Sequence, residues 1–68
     1  MNTIGSLINT SAHDAKITLE GMLASRPAEA ARTALDLLEA LQGKEGQASR
    51  RKVAASVLRK AAKELEAS

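Results

Sequence analysis

Few residues in this chain have the types and spacing for bond-making chemistry. There is one histidine, His13, and no cysteine. A zinc site would need more nitrogen or sulfur ligands, or carboxylates converging on His13. The neighbouring Asp14 would sit about 100° round a helix from it, on a different face. A nucleophilic triad needs serine, histidine and aspartate in mutual reach inside a pocket. A bundle of 68 residues has little room for the cleft that such a site, or a bound cofactor, would occupy. The run Gly43-Lys44-Glu45-Gly46 lacks the spacing and hydroxyl residue of a phosphate-binding loop and reads as a turn. His13 then reads as an exposed residue of a first helical turn. The expectation is a non-enzymatic chain without metal or cofactor.

Directed chemistry is left to the basic side chains. Ser49, read as a helix N-cap, is followed by Arg50, Arg51 and Lys52. A helix N-terminus carries partial positive charge and favours acids, so three cations there call for an anion. On a helical wheel Arg50 falls on the apolar side of its helix and Arg51 at its flank. Arginines at the end of a bundle bury their stems and pair with carboxylates. Glu39, Glu45 or a second subunit's acid is the first expected partner, and a phosphate the second. Lys52, Arg59 and Lys63 project on the opposite face, either as a solvated surface or as a contact for an acidic protein. The nucleic-acid alternative uses the helix over residues 47–63 as a reading head, with basic side chains on phosphates. Gln47 is the one nearby amide for base readout. No aromatic residue is present to stack on unpaired bases. The candidate contact residues are therefore Gln47, Arg50, Arg51, Lys52, Arg59 and Lys63.

The elements that must position these residues are helical. Alanine and leucine dominate and β-branched residues are sparse. Pro27 suits a first helical turn, with Ser25 as the cap before it. Ala30, Ala31, Ala34, Leu37, Leu38 and Leu41 recur at spacings of three and four, and Gly43 is placed to end that helix. Glu29, Arg32, Asp36 and Glu39 fall on its other side, with Arg32 in reach of both Glu29 and Asp36. In the last helix Ala54, Val57, Leu58, Ala61 and Leu65 form the apolar stripe. Near the N-terminus Ser11 and Asp14 suggest a capping box. Yet Ile4, Ile8, Ala12, Ala15, Leu19 and Met22 keep one helical phase across it, so residues 1–10 are either an extension of the helix or an arm. "KITLEG" has strand character but no partner strand elsewhere.

The expected architecture is one all-α domain over residues 1–68, with helices at about 11–24, 26–42 and 48–67. It is a small three-helix bundle of antiparallel neighbours, or a helical hairpin completed by self-association. Small domains with no disulfide or metal often reach stability by oligomerising, so a homodimer or higher assembly is expected. Charge is uneven: residues 1–42 sum to −2 and residues 43–68 to +4. That polarity suits a partner surface on the basic half, or attraction between the halves. No segment reaches the roughly 18 apolar residues of a membrane span, and no basic leader opens the chain. A cytoplasmic or virion-associated location is expected. The basic last helix resembles surface-lying membrane helices only weakly, since its apolar side is mostly alanine and carries no Trp or Phe.

No motif is specific to a family. The functional expectation is a small helical interaction protein, an adaptor, inhibitor or regulator, that works by protein–protein binding as a homo-oligomer. A DNA-binding transcriptional regulator is the alternative.

Overall fold

Four local backbone events divide the chain. The first is at Thr10 and Ser11. Ser11 is extended, at φ −70° and ψ 159°, and its side chain accepts a hydrogen bond from the Asp14 backbone N–H at 3.1 Å. That is the expected N-cap. The Asp14 carboxylate accepts from the Thr10 hydroxyl at 3.3 Å. The break separates α1 (Thr3–Asn9) from α2 (Ala12–Ser25). Residues 3–9 thus form a helix of their own, set off from α2 by this break and packed on α3.

The second event is Pro27. A proline disfavours helical geometry in the residue before it, and Arg26 sits at φ −140°, ψ 67°. This one residue ends α2 and precedes α3 (Pro27–Leu41). Ser25 is the last residue of α2 and does not cap α3; the residue at the cap position is Arg26, whose side chain makes no capping hydrogen bond.

The third and fourth events are glycines. Gln42 at φ −61°, ψ 129° and Gly43 at φ 80°, with the Lys44 N–H donating to the Leu41 carbonyl at 3.1 Å, make a type II turn. Its third residue needs positive φ, which glycine supplies without strain. Gly46 at φ 73° then redirects the chain into α4 (Ala48–Ala67). Because that turn completes at Gly46, the helix starts at Ala48. Ser49 lies inside its first turn and is not the N-cap.

The computed structural model describes residues 3–67, without the side chains of Thr3, Ile4 and Ser6. Met1, Asn2 and the Ile4 side chain, which fall in the segment expected as an arm or extension, lie outside it, as does Ser68. The fold is all-α, with no strand among the described residues, "KITLEG" included. It measures 36 × 22 × 18 Å, and α3 packs against each of the other three helices. No helix is long and apolar enough to cross a membrane.

The core follows the stripes with two departures. Ala15, Leu19 and Met22 of α2, Ala30, Ala34, Leu37 and Leu41 of α3, and Ala54, Val57 and Ala61 of α4 are buried. Leu7 of α1 joins them at 2% exposure, a residue the continuous phase did not select. The break at Thr10–Ser11 re-aims α1, so Leu7 is its deepest described residue while Ile8 is half-buried. Leu65 departs the other way and is 44% exposed. α4 has 20 residues against 15 in α3. At about 1.5 Å per residue it outruns its neighbour by more than a turn, and nothing beyond Ala61 is buried among the described residues of α4.

Gly21 lies exposed in the middle of α2, and a methyl group there would meet no heavy atom within 4 Å. Interior glycine costs a helix about 1 kcal/mol relative to alanine. Gly21→Ala is expected to raise the melting temperature by roughly 4–8 °C, read by circular dichroism. A fall instead would show that another surface comes close to this position.

Candidate functional site

The basic turn of α4 meets the ends of other helices. Arg50 and Arg51 are both half-buried. Arg50 Nε donates to the Thr10 carbonyl at 3.1 Å, and a second N–H of the same guanidinium (Nη2) donates to that oxygen too. Nη1 donates to Gln47 Oε1 at 2.8 Å. The break before α2 puts the Thr10 carbonyl outside the helical ladder, so it is an acceptor in need of a donor. Arg51 Nη2 donates to the Leu41 carbonyl at 3.0 Å and to the Lys44 carbonyl.

These contacts account for the dipole conflict. Leu41 closes α3; its carbonyl accepts from the Lys44 N–H in the turn, and the last carbonyls of a helix, which lack an intrahelical donor, carry partial negative charge. Arg51 supplies a cation and a donor to that end, a familiar capping role for a basic side chain. Its backbone lies at the positive end of α4 while its charge lies at the negative end of α3. The expected carboxylate partners, Glu39 and Glu45, are not what these arginines bind among the described residues: they bind main-chain carbonyls. The break at Thr10 and the closing turn of α3 present main-chain acceptors close by, so no acid is required.

The six candidate residues therefore separate. Gln47, Arg50 and Arg51 are tied into the junction of α1, α2, α3 and α4. Lys52, Arg59 and Lys63 are exposed, and none has an ion pair or side-chain hydrogen bond among the described residues. They form a row on the outer side of α4, with the half-buried Ser56 among them.

A second charged feature lies between α2 and α4. Lys60 Nζ donates to Glu20 Oε2 at 2.7 Å. This hydrogen bond holds the Glu20 carboxyl below its ordinary pKa; desolvation opposes it, and the charges of Lys60 and Lys16 reinforce it. Above this pair lies a cleft of about 200 Å³ lined by Lys16, Glu20, Lys52, Val53 and Ser56. Ion pairing here ties α4 to α2, a contact with no warning in the local patterns of either helix.

On α3 the expected pairs of Arg32 with Glu29 and Asp36 are absent among the described residues. Glu29 pairs with Arg26 at 3.2 Å instead. Arg26, at the junction, is three residues before Glu29 and takes the acid that Arg32 would have shared. His13 is exposed in the first turn of α2, and no three of His, Asp and Glu among the described residues converge as a metal site would require.

Sequence reading missed Thr10, Leu41 and Lys44 as partners because their main-chain oxygens do the work. The available signal was indirect: every helix end leaves carbonyls to be satisfied, and a basic pair beside two glycines is well placed to reach them. No protein-family model, curated protein or solved structure matches the chain.

Proposed function

We propose that this chain is a non-enzymatic helical interaction protein, an adaptor, inhibitor or regulator, that binds an acidic protein surface through the outer face of α4 and works as a homo-oligomer. The observation that carries this reading is the row of Lys52, Arg59 and Lys63, exposed and, among the described residues, unpaired, while Arg50 and Arg51 are both engaged. From Lys52 to Lys63 the row runs about 16 Å along the helix. In this reading α2, α3 and α4 alternate as antiparallel neighbours, held by the one-residue link at Arg26 and the arginine contacts at the start of α4. The binding face is then a rigid helix surface, which loses little freedom when a partner docks.

The nucleic-acid alternative is the weaker one on the same geometry. A helix-turn-helix reads bases with the N-terminal residues of its second helix. Here Arg50, Arg51 and the Gln47 amide oxygen face other parts of the chain. The three cations of the row would release about three counterions per chain.

A fluorescence anisotropy titration separates the readings, using a labelled glutamate-rich peptide and a labelled short DNA duplex at ~50 and ~200 mM salt. The expected result is binding of the peptide, no binding of the duplex at the higher salt, and loss of peptide binding in Lys52→Glu/Arg59→Glu/Lys63→Glu with helicity unchanged. Duplex binding that persists at the higher salt, with the peptide unbound, overturns the proposal in favour of nucleic acid.

A further inference from the structure

We infer that the outer face of α3 is the surface on which a second copy of this chain docks, antiparallel and centred between Leu35 and Asp36. This rests on the homo-oligomer clause of the reading above and deepens it by placing the contact.

α3 is packed on by α1, α2 and α4, yet one arc of it is uncovered. Ala28, Arg32, Leu35, Asp36 and Glu39 are all exposed. At 100° per residue Ala28, Arg32 and Glu39 fall within about 40° of one another, with Leu35 on one flank and Asp36 on the other. Leu35 is 47% exposed, a large apolar side chain in the middle of a charged face.

The charges there are self-complementary. Arg32 and Glu39 have no ion pair or side-chain hydrogen bond among the described residues. They stand seven residues apart, two helical turns or about 10.5 Å, and equally far from the point between Leu35 and Asp36. A two-fold axis at that point sets Arg32 of each copy opposite the partner's Glu39. It also brings Leu35 against the partner's Leu35, close to the axis. An isologous contact requires such a patch, in which each group finds its complement on an identical surface. An unrelated partner would have no need of that symmetry.

Two further observations favour a second copy at this face. Among the described residues eleven apolar side chains are buried, five of them alanines, and the fully buried large ones are Leu7, Leu19, Leu37, Leu41 and Val57. A core this thin gains from covering another leucine. The outer side of α2 exposes Ile17 more fully, at 58%, but its flanking acid, Glu20, is already bound to Lys60. Among the described residues the α3 face keeps both of its complementary charges free. One term opposes association: the two Asp36 side chains meet on the far side of the axis.

Sedimentation equilibrium on the full chain over a micromolar concentration series tests this, with circular dichroism to confirm that each variant is folded. Wild type is expected to dimerise. Arg32→Glu and Glu39→Arg are each expected to weaken the dimer about tenfold or more, and the double variant to restore it. Leu35→Glu is expected to abolish it, and Asp36→Asn to tighten it. A wild-type monomer throughout the series overturns this inference together with the homo-oligomer clause. A dimer indifferent to Leu35→Glu and to both charge reversals overturns the α3 placement and leaves that clause standing. Single reversals that weaken the dimer without rescue in the double variant overturn the antiparallel register.

Discussion

Leu37→Ala is expected to remove most of the stability of this protein. Leu37 is fully buried on α3, the helix that every other helix packs against. Truncating a buried leucine costs about 2.7–5 kcal/mol, the transfer term plus the cavity left behind. A domain this small has a total stability of roughly 3–10 kcal/mol. The core cluster that contains Leu37 is alanine-rich, with Ala15, Ala30, Ala34 and Ala54 all buried. Such side chains are too short to move into the vacated space, which places the cost in the upper half of the range. Urea unfolding followed at 222 nm checks this. The expected outcome is a midpoint near zero denaturant, and a loss below about 1 kcal/mol would contradict the packing described around α3.

Arg50→Ala is expected to cost about 2 kcal/mol, a drop of roughly 10 °C in melting temperature for a domain of this size. The guanidinium gives two N–H groups to the Thr10 carbonyl and one to Gln47. Its removal leaves a part-buried carbonyl without a donor, and the penalty is mostly that of the stranded acceptor. Arg50→Lys keeps the charge but lacks the planar fork, so it should recover less than half of the loss. Thermal melts of the three proteins decide it. Equal melting temperatures for wild type and Arg50→Ala would mean that the guanidinium is dispensable to the fold and free for an external anion.

Much of this fold was legible in the residues because local rules and packing agree there. Ser11 caps α2 through the Asp14 N–H, Pro27 opens α3, and Gly43 and Gly46 take the positive φ values that the turn between α3 and α4 requires. The small and large apolar residues of α3 mark its buried side as written. Legibility failed where a second element decides. Leu7 is buried because α1 turns at Thr10 onto α3, and Leu65 is exposed because α3 stops short of it. Ser49 is not a cap because Gly46 has already turned the chain. At the candidate site, sequence placed Arg50 toward the inside but named carboxylates as its partners. A main-chain carbonyl has no signature in a sequence, and only the ends of the helices, once located, reveal where one is waiting.

The link at Arg26 and the tie from Arg50 to Thr10 also order the events of folding. One residue joins α2 to α3, so their contacts close a short stretch of chain and are gained early. The Arg50–Thr10 contact spans 40 residues and can form only after α4 has settled. Losing the arginine should speed unfolding and leave the folding rate nearly unchanged.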